Sequence, residues 1–375
     1  LSVIALASCE RPQQVSESGY GAYEVSLASW GDSALAVAWY DTRDGNAETY
    51  MRFLEGAGRP IGKDYRLTHT GEQSYEADVA MVDGGVAVAW YEKSSEEKLR
   101  AHLGVWSFDG QPRWSRSLGA PGIVTRNPVV RASAAGIFAA WIEQERIDRE
   151  LVRASWFTLD GQPRGETVTL GPAAPTTWNL NAAIDPRGIA YVAYDGQAVT
   201  RADELYLAEW GPHGVKLAQL TPDDGRDSKY PDIAFAADGT LALTWFDHRD
   251  GNAEVYLAIG PLKVVRSDAL TLAQRVTDTP GESIGAYLAW NGDRVCLTWS
   301  DDTGGAHQIY YEFFAADGGS LEPAHQLTAT SRSSLIPAIK PWRDGFVIAW
   351  NEMDAGPAGV HDVETRSEVM LSFVR

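Results

Sequence analysis

Thr240-Leu241-Ala242-Leu243-Thr244-Trp245-Phe246 is apolar almost throughout, ends on two aromatic residues, and runs into the charged hairpin Asp247-His248-Arg249-Asp250-Gly251-Asn252. A strand exposed on one side alternates apolar and polar residues, so a nearly continuous apolar run of this length needs cover on both faces. A second strand-like segment, Tyr230-Pro231-Asp232-Ile233-Ala234-Phe235, precedes it across an Asp238-Gly239 turn. Ala253-Glu254-Val255-Tyr256-Leu257-Ala258 follows it, and after a longer link comes Ala273-Gln274-Arg275-Val276-Thr277. The unit is four strands, designated A to D in chain order.

The unit recurs. Trp39, Trp90, Trp141, Tyr194, Trp245, Trp299 and Trp350 close equivalent B runs at steps of 51 to 54 residues. A period near fifty built from short strands predicts an all-β fold, a seven-bladed β-propeller of four-stranded antiparallel blades. The blades are expected at about 22–71, 75–121, 126–174, 178–225, 229–280, 283–331 and 335–375. Asp-Gly turns at residues 83–84, 109–110, 160–161, 238–239 and 317–318 supply the positive φ of tight hairpins. The seventh unit stops after strand C, whereas residues 13–18 precede the first strand A as a strand D would. Residues 12–18 are therefore expected to complete the last blade and close the ring, which removes the free sheet edges.

Of the 375 residues, 44% are hydrophobic and 22% charged, enough to bury extensive sheet-to-sheet surface as one domain over 12–375. The net charge of -19 argues against nucleic acid as a partner, because it is a polyanion, and suits cations or cationic partners better. No segment approaches the length of an apolar membrane span. Cys296, in the run Arg294-Val295-Cys296-Leu297, reads as a small core hydrophobe. The other cysteine stands in Leu6-Ala7-Ser8-Cys9, which resembles the lipobox of bacterial lipoproteins. The resemblance implies that residues 1–8 are the tail of a signal peptide, that Cys9 is lipidated, and that 9–11 link the anchor to the propeller. With Glu10 in place of an Asp retention signal, it implies an outer-membrane anchor facing the periplasm or the exterior.

Two blades share a hairpin, Asp41-Thr42-Arg43-Asp44-Gly45-Asn46-Ala47-Glu48-Thr49-Tyr50 and Asp247-His248-Arg249-Asp250-Gly251-Asn252-Ala253-Glu254-Val255-Tyr256. With Leu67-Thr68 or Val276-Thr277 opening the next blade, they resemble the PD40 repeats of TolB-type propellers. TolB's six blades and separate N-terminal domain have no counterpart in this pattern, so its lipoprotein partner is not implied. Asp41, Asp44, Asn46 and Glu48, with Asp247, Asp250, Asn252 and Glu254, offer closely spaced oxygen ligands that could hold calcium. The same residues also fit a purely structural turn in which the arginines pair with carboxylates. No cofactor is required by any motif.

An acid follows each marker aromatic by one or two places: Asp41, Glu92, Glu143, Asp195, Asp247, Asp301 and Glu352. A feature present in every blade reads first as structural, accepting amide hydrogen bonds from adjacent links. Departures from the repeat are better candidates for a ligand site. On the face that collects the B–C hairpins and D–A links, these are Glu76, Asp78, Arg126, Asn179, Asp227, Lys229, Tyr230 and Asp232, with His361 in the long B–C loop of blade seven. Sialidase-type Asp-box strings, zinc-ligand spacings and nucleophile elbows are missing. The expectation is a monomeric, envelope-anchored binding module for an envelope protein or surface glycan. The alternative is a propeller glycoside hydrolase or polysaccharide lyase using acids at the channel mouth.

Overall fold

The computed structural model describes residues 11–375 apart from 20, 57, 97 and 355–365. Seven four-stranded antiparallel sheets, each with strand order A-B-C-D, pack side by side around an axis. Strand A is innermost: Ala22–Trp30, Gln73–Val82, Val124–Ser133, Leu180–Ile184, Ser228–Phe235, Ser283–Asn291 and Ser333–Trp342 in blades one to seven. Strand B, such as Thr240–Asp247, is buried along almost its whole length, as its unbroken apolar pattern requires. Trp39, Trp141, Trp245 and Trp350 are among the largest fully buried side chains, so the markers fill the contacts between neighbouring blades. Strands D are short and mostly exposed. The glycines of the five Asp-Gly turns adopt φ between 72° and 89°, where a Cβ would be strained.

The ring is closed by the N-terminal segment. Gln13–Gln14 pairs antiparallel with strand C of blade seven, Ser367–Val374, in the register Gln13 to Leu371. The Val15 amide extends the ladder to the Val369 carbonyl (2.8 Å), and Ser16 Oγ donates to Glu368 (2.5 Å). Arg52 of blade one donates to the Val15 carbonyl (2.9 Å), locking the strap to both blades it joins. One element has no counterpart in the repeat: between strands C and D of blade five, Leu262–Leu272 is helical. Val265 and Ala269 anchor it in the apolar contact of blades four and five, and Arg266 pairs with Glu209 of blade four (2.6 Å). The longer link recognised in the sequence is this helix, whose apolar stripe is too short to stand out beside the strand pattern.

Candidate functional site

Near the start of strand A, the ladder to strand B slips in six blades, between Tyr23 and Ser26, Tyr75 and Asp78, Arg126 and Val129, Lys229 and Asp232, Ile284 and Tyr287, and Leu335 and Ala338. Within each slip one residue takes a left-handed backbone: Glu24, Glu76, Asn127, Tyr230, Gly285 and Ile336, with φ of 46° to 61°. Five of the six are not glycine, and such strain inside a strand is held only where the surroundings enforce it. With Asn179 of blade four, all of them line one axial cavity of about 1510 Å³.

On one side of this layer, Glu24 and Glu76 are neighbours whose charges act on each other. The Glu76 amide donates to Glu24 Oε2 (3.2 Å), Asn127 Nδ2 donates to Glu76 Oε2 (2.7 Å), and the Tyr91 hydroxyl donates to Glu76 Oε1 (3.3 Å). Burial, and then the charge of Glu76, hold the Glu24 carboxyl well above the usual carboxylate range. Burial also raises Glu76, against the opposing pull of Tyr91 and Arg126. Tyr23, Tyr40, Tyr75 and Tyr91 form a chain of ring contacts beside the pair, with centroids 5.0 to 5.7 Å apart. The Tyr40 and Tyr91 hydroxyls are pushed up by burial and by these carboxylates, so they remain protonated donors.

Across the cavity the lining is aromatic. Trp178 is 50% exposed and Tyr230 36%, although both are large apolar side chains. Tyr230 stacks on Phe246 (5.5 Å), and Lys229 Nζ lies 5.5 Å from the Trp178 ring. The rim continues into a recess of about 520 Å³ with His248, Glu282 and His307. The Nδ1 atoms of both histidines are buried and lack a hydrogen-bond partner among the described residues.

The structure brings together Glu76, Asp78, Asn179, Tyr230 and Asp232 as cavity lining. Asp78 and Asp232 also tie blades together: Asp78 accepts from the Val130 amide (2.8 Å) and Arg131 (2.7 Å), Asp232 from the Ile233 and Leu288 amides (2.9 Å each). Arg126 stands behind the lining, paired with both oxygens of Glu150 (3.0 and 2.8 Å) and with the Thr177 carbonyl (2.7 Å). Lys229 pairs with Asp203 (2.9 Å) and Asp227 (3.0 Å) at the rim. His361 and Cys9 lie outside the described residues.

The acids after the markers mostly cap local groups. Asp41 accepts the Trp39 indole N–H (3.0 Å) and the Arg43 amide (2.9 Å); Asp247 does the same for Trp245 (3.0 Å) and Arg249 (2.9 Å). Asp195 receives three amides, from Trp178, Asn179 and Tyr230 (2.7, 2.9 and 3.1 Å). In the shared hairpins, Asp44 meets Arg66 (2.9 Å) and Tyr50, while Glu48 meets Arg66 (2.8 Å), Thr68 (2.5 Å) and Asn46 (3.1 Å). Asp250, Asn252 and Glu254 repeat this with Tyr256, Arg275 and Thr277. Protein donors thus meet oxygens of Asp41, Asp44, Glu48, Asp247, Asp250 and Glu254, while Asn46 and Asn252 donate through their amide nitrogens. No group of three or more His, Cys, Asp or Glu among the described residues is arranged to hold a metal ion.

Sequence reasoning passed over Glu24, Tyr91, Trp178, Arg131 and Lys340. Counting back fourteen or fifteen residues from each marker would have aligned Glu24 with Glu76, Asn127, Asn179 and Tyr230. Trp178 carried no signal, since a tryptophan in a propeller link reads as packing.

The fold and its axial site define the class: a seven-bladed β-propeller with a ligand-sized central cavity. No family model matches the chain, and no curated protein matches it in sequence. The solved structures similar to it include a protein of unknown function from Dyadobacter fermentans DSM 18053 (10% identity, TM-score 0.57, covering 99% of each chain). They also include the polysaccharide lyase Uly1 (10%, 0.58, 97% of this chain and 99% of the other) and the phage phi92 endosialidase (9%, 0.56, 97% and 68%). At these identities the likeness is one of fold alone.

Proposed function

We propose that the chain is a saccharide-binding propeller of the bacterial envelope, tethered through Cys9, whose axial cavity takes a segment of a glycan. The observation that carries this is the half-exposed Trp178, beside Tyr230, on the rim of the cavity that also holds the Glu24–Glu76 pair. Exposed aromatic faces suit the C–H faces of sugar rings, and convergent carboxyl, amide and hydroxyl groups suit their hydroxyls. That a polysaccharide lyase and an endosialidase share the fold is consistent with this reading, which rests on the site and not on them. The test is a tryptophan-fluorescence titration against a panel of envelope and extracellular polysaccharides. Trp178→Ala is expected to weaken binding about 10-fold, equivalent to about 1.4 kcal/mol, without altering the circular dichroism. Equal binding by Trp178→Ala and the parent chain would count against this cavity as the site.

The Glu24–Glu76 pair also supports a catalytic reading, because a carboxyl whose pKa is raised by burial and by a second carboxyl suits acid–base cleavage of a glycosidic linkage. Incubation with the polysaccharides that bind should then release shorter chains, and Glu24→Gln should stop the release while binding persists. Intact polysaccharide after prolonged incubation with the parent chain would leave binding as the whole activity.

A further inference from the structure

Beneath the left-handed layer, strand A presents further register positions to the interior. Two layers down, five blades carry alanine: Ala28, Ala80, Ala183, Ala234 and Ala289, paired with Ala36, Ala87, Tyr191, Ala242 and Cys296 of strand B. The other two carry cations, Arg131 paired with Phe138 and Lys340 paired with Val347. Both line the axial cavity. A position that is alanine in five repeats is basic in the two whose side chains are long enough to carry charge into the cavity.

The two cations are not equivalent. Arg131 is fully engaged: it bonds Asp78 (2.7 Å), the Ala182 carbonyl (2.6 Å), the Val130 carbonyl (2.7 Å) and Asn181. Lys340 has no hydrogen-bond or ion-pair partner among the described residues. The acids whose charge acts on it, Asp232 and Asp78, are themselves engaged by backbone amides. Half-buried at the cavity wall, the Lys340 ammonium offers three donors that no protein group among the described residues takes up. Of the five alanines, Ala183, Ala234 and Ala289 line the same cavity, while Ala28 and Ala80 are packed between blades.

We propose that Lys340 is the receptor for an anionic group, so that the glycan bound in the cavity is an acidic one whose carboxylate or sulfate points down the axis from the Trp178 rim. This inference rests on the saccharide reading of the same cavity for its ligand, but on Lys340 for its charge. Burial and the nearby Arg131 already push the lysine's pKa down, and an arriving anion would relieve that penalty.

The test compares an oligogalacturonate with its fully methyl-esterified form, in which a methyl group cancels the charge of each carboxylate, by fluorescence titration of the full chain. Inorganic sulfate is followed separately by thermal shift against chloride at equal ionic strength. The parent chain is expected to bind the acid form at least about 10-fold more tightly than the ester, and to be stabilised by sulfate. Lys340→Met should bind both forms as the parent binds the ester and lose the sulfate effect; Lys340→Arg should keep both. The proposal is overturned if the parent shows no preference, or if Lys340→Met keeps it. Should neither saccharide form bind, the saccharide reading fails, and sulfate decides the anion site alone: equal shifts in the parent and Lys340→Met would remove it.

Discussion

Glu24 and Glu204 show how one residue type acquires different chemistry from its setting. Glu48, Glu204 and Glu254 stand first or second in a strand C and accept a threonine hydroxyl, from Thr68, Thr221 and Thr277. Arg66 and Arg275 neutralise the first and third, whereas among the described residues no arginine pairs with Glu204, and burial pushes its carboxyl up to about 7. Glu24 is raised by burial and by a second carboxyl. In both, the folded chain keeps a proton that the unfolded chain releases at a lower pH. Their contribution to stability is therefore complete below the ordinary carboxylate range and is lost as pH rises through the raised values. From about pH 4.5 upwards, thermal melts should show Glu24→Gln losing less stability than the parent chain, with a higher melting temperature than the parent at about pH 8. Identical pH profiles would mean that Glu24 is charged in the folded state. The tryptophan markers act at the same scale, since four of them are wholly buried and Trp39 and Trp245 hydrogen-bond to a carboxylate as well.

Among the elements, the closing strand is one of the shortest, yet it joins the first blade to the last. Gln13–Gln14 has only two ladder residues, yet Val15, Ser16 and Arg52 extend the tie across both neighbouring blades. Without it, strand C of blade seven would become an exposed edge. Deleting residues 11–16 should lower the melting temperature by several degrees and promote association at high protein concentration, read by calorimetry and light scattering. A melt that does not move would show that the blade contacts alone hold the ring. This closure was legible because the last repeat was one strand short. The left-handed bulges were not legible, since a glutamate, an asparagine and a tyrosine carry no local preference for positive φ strong enough to announce it. Only pairing with strand B while packing against two neighbouring blades enforces that backbone.

At the level of the whole molecule, the net charge of -19 is spread over all blades, and most cations are already in short pairs. Self-repulsion of that size opposes compactness and is screened by salt. The melting temperature should rise as sodium chloride is increased to about 0.5 M, where the screening length falls below about 5 Å. A fall would show that the ion pairs between blades outweigh the repulsion. Blade number, ring closure and the buried face of each strand B were determined by the sequence alone, because burial on both sides leaves a periodic apolar trace in the residues themselves. The tertiary structure alone decided which side chains share the axis. Glu24 and Glu76 are 52 positions apart, Arg131 and Lys340 more than two hundred, and only closing the ring turns equal positions in different repeats into neighbours. Whether such neighbours are charged, protonated or without a partner is set by the dry, crowded space they enter, which no local stretch of chain encodes.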